Sequence, residues 1–357
     1  MTNPYSDQPR RAFWKSGVSD HSPMEIPDIF TPRFKVDKSM RIACAGSCFA
    51  QHIGAQFKAR NYQFIDLEPP PPENVLNPSA WSEFGFNLYS ARYGNIYTAR
   101  QLVQMFERAT GILKPSEAPW IHSNGRVRDP FRPAIEPDGF TNIIEYERDL
   151  AYHLQCVSEL LENTDLFVFT LGLTEAWECT ADGVVLPTCP GTIGGNFDSK
   201  KYKFKNFTFN ETMADMESFM QLARAANPNI KFLFTVSPVP LTATATDQHV
   251  LTATIYSKSI LRAVVGELYN KYSYVEYFPS YELVSAYPMR AMAYMPNLRN
   301  VATKGVLWVM DTFFNAIGDG KHFDVTNVAK PRVASSDAEA MTESLICEEA
   351  ILEAFGK

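Results

Sequence analysis

The stretch Arg41–Phe57, RIACAGSCFAQHIGAQF, decides the fold. Arg41 to Ala45 reads as a strand, Gly46 supplies a turn, and the residues from Phe49 onward place apolar side chains at helical spacing. Two nucleophile-type side chains, Ser47 and Cys48, stand at the turn. Such a turn suits nucleophilic catalysis. The first N–H groups of a helix lack partners and carry positive potential. They can hold an oxyanion and lower the pKa of a thiol. The same residues admit a purely structural reading, with Ser47 as the helix N-cap and Cys48 as a buried thiol behind it.

Working outward, strands and helices alternate. Residues 49–61 form a helix, 62–66 a short strand, 99–111 a helix with a glycine stop, and 143–164 a long amphipathic helix. DLFVFTLG (165–172) and IKFLFTVSP (230–238) are nearly continuous apolar runs, the pattern of strands buried on both faces. Helices over 211–228, 255–272 and 303–318 and a strand over 275–283 complete the series. This order predicts an open parallel sheet with helices on both faces. Ligands in such folds bind beyond the carboxyl ends of the strands. That rule draws attention to Gly46–Cys48, Gly172–Glu175 and the loop after Ser237. Residues 1–37 are polar and proline-rich and read as an arm. The main domain spans 38–329, with a hairpin-like excursion at 176–209, and 330–357 is a tail ending in a short helix.

The chain has 357 residues, 45% of them hydrophobic, and a net charge of −7. That length allows a sizeable core. With no basic stripe, nucleic acid is not an expected partner. The longest apolar runs have strand length, too short to cross a bilayer. The first residues lack an apolar leader segment, so the expected location is cytoplasmic. The six cysteines, at 44, 48, 156, 179, 189 and 347, form no C-x-x-C pair, and no His/Glu zinc spacing occurs. Neither G-x-G-x-x-G after a strand nor a P-loop is present. No metal and no cofactor is therefore expected.

Longer strings carry a family resemblance. GSCFAQHI (46–53), SARYGNIYTARQL (90–102), DPFRP (129–133), FTLGLTEAW (169–177), PGTIGGNFD (190–198), TVSPVPLTAT (235–244), SKSILRAV (257–264) and YFPSYEL (277–283) resemble the GSCFA-domain proteins. That family is in turn remotely similar to the SGNH (GDSL-like) esterases and acetyl-transferring enzymes. The resemblance implies a three-layer α/β/α sandwich with a mainly parallel central sheet. It also implies an esterase or acyltransferase working through an acyl-enzyme on a small-molecule ester, carbohydrate-linked esters included.

The SGNH pattern maps onto this chain in two registers. Laid without gaps on Gly46-Ser47-Cys48, its nucleophile falls on Cys48; shifted by one residue, it falls on Ser47. The resemblance implies oxyanion and substrate contacts at Gly46, at Gly94 and Asn95, and at Gly172 and Thr174, with Glu175 orienting a base. Each has a plainer reading: a turn before a helix for 94–95, a favourable acid near a helix start for Glu175. The Asp-x-x-His that supplies the base in SGNH enzymes would fall in MPNLRNVATKGV, where Asn297 and Arg299 stand instead. Arg cannot accept a proton at neutral pH. Of the six histidines, His249 is preferred as base, because its loop lies at the carboxyl rim of the sheet. His52 and His322 are the alternatives; His21, His122 and His153 lack a local constellation. Lys258, one turn into its helix, reads either as an anion contact or as a solvated charge. Two further functional classes stand beside the enzyme: a ligand-binding module on a catalytically decayed scaffold, and a partner-binding protein.

Overall fold

In the computed structural model, residues 3–320 and 348–356 are described. The chain opens with an arm of short helical turns. It then forms β1 (Arg41–Gly46), α1 (Cys48–Ala59), β2 (Gln63–Phe64) and α2 (Ala99–Ala109). A small hairpin, β3 (Trp120–Ile121) with β4 (Val127–Arg128), precedes α3 (Ile143–Leu160) and β5 (Leu166–Leu171). The excursion is β6 (Glu175–Cys179), β7 (Val185–Leu186) and β8 (Tyr202–Asn206), a separate antiparallel sheet in the order β7-β6-β8. Then come α4 (Phe209–Ala226), β9 (Lys231–Val236), α5 (Val250–Lys271), β10 (Val275–Tyr277), α6 (Ser280–Ser285) and α7 (Thr303–Ala316).

Five strands form the central sheet, ordered β10-β9-β5-β1-β2, and every pairing is parallel. Ala43 lies opposite Phe167, and Phe167 opposite Phe232, so the three long strands are buried in step. Right-handed crossovers place α1 on one face and α2 to α5 on the other. The aromatic core shows both layers. Phe106 of α2 and Phe219 of α4 meet Phe167 of β5, and Phe219 also meets Phe232 of β9. Across the sheet, Phe57 of α1 packs edge-on against Phe313 and Phe314 of α7. This is a three-layer α/β/α fold with a mainly parallel central sheet.

Two differences from the sequence reading bear on the site. The strand placed at 275–283 ends at Tyr277, because Pro279 breaks it and Ser280 starts α6, its hydroxyl donating to the Val236 carbonyl at 3.1 Å. The last long helix of the α2–α5 layer begins at Val250, five residues before the apolar pattern suggested, which moves His249 from mid-loop to a helix cap.

The order of the central sheet reverses between β1 and β5: β2 lies beyond β1 on one side, while β9 and β10 extend beyond β5 on the other. In doubly wound sheets this switch point opens a crevice at the carboxyl ends of the strands.

Candidate functional site

Gly46 ends β1 at the switch point with φ +143°, and a side chain there would meet the Thr170 carbonyl oxygen at 2.6 Å. Only glycine lets the strand come that close before it turns. Ser47 follows as the N-cap of α1, and its N–H donates to the Thr170 carbonyl at 3.2 Å. Its hydroxyl makes no capping hydrogen bond. Among the described residues Ser47 Oγ has no hydrogen-bond partner at all, although the residue is only 3% exposed. Thr170, across the strand pair, likewise carries a buried hydroxyl without a partner. A buried hydroxyl left unpaired costs about 1–3 kcal/mol, so folding alone does not account for this pair.

The SARYGN segment crosses the switch point. Ile96 N–H donates to the Gly46 carbonyl at 2.9 Å, and the Tyr97 carbonyl receives the N–H groups of Gly172 and Leu173, each at 3.0 Å. Gly94 makes the turn with φ +68°. Asn95 is buried, and its Oδ1 accepts from Gln51 Nε2 of α1 at 3.2 Å and from the Tyr89 hydroxyl. That assigns Oδ1 as the acceptor end and Nδ2 as the donor end of the amide.

Behind this segment lies a buried ionic network. Arg92 reaches Asp149 at 2.8 Å and Glu136 at 2.7 Å, and its backbone N–H donates to Glu68. Arg132 of DPFRP holds Asp129 at 2.7 Å and Asp149 at 2.8 Å. His153 of α3 bonds Glu68 at 2.7 Å. Burial pushes the Glu68 carboxyl up, but His153, Arg132 and the Arg92 N–H outweigh it and hold the group at about 2. The network fixes the loop that carries Gly94 and Asn95. Sequence reading missed it, because its members lie up to 85 residues apart; the cluster of charged residues in SARYGN and DPFRP was the available signal.

At the end of β5, Gly172 lies against the nucleophile turn: a methyl on its Cα would stand 3.0 Å from Ser47 Cβ. Its N–H, expected as an oxyanion donor, is spent on Tyr97. Its carbonyl accepts from the Lys258 ammonium at 2.5 Å. Lys258 is 2% exposed, not a solvated charge, and Ser257 beside it accepts the Thr174 N–H at 3.0 Å. Thr174 Oγ1 donates to Asn206 of β8 at 2.7 Å. Glu175 opens β6 and points to the loop after β9, accepting from Thr244 Oγ1 at 2.7 Å; burial raises its pKa.

The structure brings Gly46, Ser47, Cys48, Asn95, Gly172 and Lys258 together at the switch point. It places His249 elsewhere in role. His249 is exposed at the N-cap of α5, where its Nδ1 accepts the Leu251 N–H at 3.2 Å. Its Nδ1 is thereby committed to the helix cap and not to the nucleophile turn. Among the described residues no imidazole hydrogen-bonds Ser47 or Cys48. His52 of α1 packs edge-on against Phe49, and burial lowers its pKa to about 4. His322 lies outside the described residues. Asn297 closes a turn, its Oδ1 accepting the N–H groups of Arg299 and Asn300 at 3.0 Å each. Cys48, the first residue of α1, is 5% exposed. No group of three metal-ligating side chains occurs among the described residues, and none of their helices is long and apolar enough to cross a membrane.

Fold and site together define a doubly wound parallel α/β protein with a nucleophile-type turn at its switch point. The GSCFA family model matches residues 41–313, well over half of the chain, and the chain belongs to the GSCFA family. No curated protein and no solved structure matches it.

Proposed function

We propose that the protein is an esterase or acyltransferase that forms an acyl-enzyme on Ser47, in the manner of the SGNH enzymes its family resembles. One observation carries this reading: among the described residues, the buried Ser47 hydroxyl has no partner, and it stands at a helix N-terminus on the switch point. The hydroxyl attacks the ester carbonyl, its proton passes to the departing alkoxide, which leaves as the alcohol, and the acyl group then passes to water or to a second acceptor. First-turn N–H groups of α1 hold the oxyanion. Gly172 sets the space around the nucleophile, and Lys258 fixes the Gly172 carbonyl. The described cysteines are free thiols, which fits a reducing cytoplasmic setting.

A second reading, a ligand-binding module on the same scaffold, draws on the Asn297–Asn300 turn, where SGNH enzymes carry the basic histidine, and on the capping role of His249. One experiment separates the two. The protein is treated with a fluorophosphonate and, in parallel, with iodoacetamide, and the modified peptide is mapped. Fluorophosphonate on Ser47 is the expected result. Labelling of Cys48 alone moves the nucleophile by one residue, and inertness at both positions favours the binding module.

A further inference from the structure

Beside the switch point, between the β6–β8 sheet and the loop after β9, lies a cavity of about 270 Å³. Its wall includes Leu173, Trp177, Phe204 and Leu241, together with Glu175, Cys189 and three threonines. Leu173 is the residue after Gly172, so the cavity begins one residue from the group that touches Ser47. Tyr97, Leu173, Leu241 and Ala253 form a separate apolar cluster, and two of them, Leu173 and Leu241, line the cavity.

The chemistry of the wall narrows the ligand. Most of it is aliphatic or aromatic. Glu175 is half-buried and already engaged by Thr244, so an anionic ligand would meet an uncompensated like charge in a poorly solvated place. Of its three threonine hydroxyls, two are already donated, Thr192 to the Cys189 carbonyl and Thr244 to Glu175, which leaves little to satisfy the several hydroxyls of a sugar. Leu352 and Phe355 of the C-terminal segment also line it. An apolar cavity of about 150 Å³ takes up benzene. In proportion, this one holds an uncharged group of roughly ten carbons.

We propose that this cavity receives the hydrophobic acyl group of the substrate, a neutral medium-length chain or an aryl ring, while the alcohol part leaves toward solvent. The assignment rests on the Ser47 reading for its catalytic meaning, but its binding prediction stands apart from it. No bond is made or broken in the cavity; it contributes burial of apolar surface, which selects among esters.

The test uses the full chain carrying Ser47→Ala, so that binding is measured without turnover. Cys189 is the most exposed of the described cysteines, and it lines the cavity. Alkylation of Cys189 by N-ethylmaleimide, followed by peptide mapping, therefore reports occupancy. Methyl octanoate should slow this alkylation at concentrations at least tenfold lower than methyl butanoate. Leu241→Trp and, separately, Ala176→Phe should abolish the protection, the pair guarding against failure of either variant to fold. Equal protection by both esters, or none by either, overturns the acyl assignment even if Ser47 labels with fluorophosphonate. Chain-length-dependent protection in a protein whose Ser47 never labels keeps the cavity as a hydrophobic-ester binding site and removes the acyl-enzyme instead.

Discussion

Gly172 faces Ser47 across the ends of β5 and β1, so closely that a methyl group between them would force one of the two to shift. A Cβ on Gly172 would stand 3.0 Å from both Ser47 Cβ and the Tyr97 carbonyl oxygen. Gly172→Ala therefore displaces the nucleophile or the SARYGN segment. Overpacking of this kind costs about 1–3 kcal/mol. The variant should fold, melt a few degrees lower, and react with fluorophosphonate at least tenfold more slowly. An unchanged labelling rate would show that the turn tolerates movement and is not a preorganised site.

Ser47→Ala separates capping from chemistry. Replacing an N-cap serine by alanine usually costs about 1 kcal/mol. Here the hydroxyl makes no capping bond, so urea unfolding should show a loss well below that value, or a small gain from removing an unsatisfied buried group. Labelling at position 47 should vanish. A full loss of 1 kcal/mol or more would mean that Ser47 serves as an ordinary cap.

His52 makes stability pH-dependent. Its folded pKa of about 4 lies below the ordinary 6.5, because burial disfavours the imidazolium. The unfolded chain therefore binds the proton more readily. The stability contributed by the neutral ring is complete above pH 6.5 and is lost as pH falls toward 4, at most about 3 kcal/mol in total. His52→Gln should flatten the plot of unfolding free energy against pH in that window. An equal slope in the variant would assign the acid sensitivity to other groups.

Arg132 sits at the centre of the ionic network, 3% exposed, between Asp129 and Asp149. Arg132→Met leaves Asp129 buried without its partner. Removing one member of such a pair typically costs about 3–5 kcal/mol. The double variant with Asp129→Leu should recover part of that loss in chemical denaturation, whereas additive losses would show that the two do not act as a pair.

The central sheet was legible because β1, β5 and β9 are buried on both faces, and only a run of apolar residues serves such a place. The turn at Gly46–Ser47 was legible for the same reason: a strand pattern and a helix pattern meet at a glycine. Lys258 was half legible. It shares the buried face of α5 with Thr254, Ser257 and Leu261, a periodicity visible in the sequence, but its partner, the Gly172 carbonyl, lies 86 residues away. His249 could not be placed from the string alone, since Asp-Gln-His before an apolar helix suits a loop and a cap equally. The role of the Gly172 N–H depended on where residues 95–98 cross the sheet, a tertiary fact with no local signature.

The edges of the central sheet have a consequence for life in a crowded solution. β2 has two residues and β10 three, against six in each interior strand of the sheet. Short edges offer an incoming chain little ladder to extend. The arm also packs beside β10: Arg33 donates its backbone N–H to the Glu276 carboxylate, and its guanidinium lies 3.6 Å above the Tyr269 ring. The arm thus acts as a guard against edge-to-edge polymerisation, and a chain trimmed before Lys35 should turn cloudy on mild heating at temperatures where the full chain stays clear.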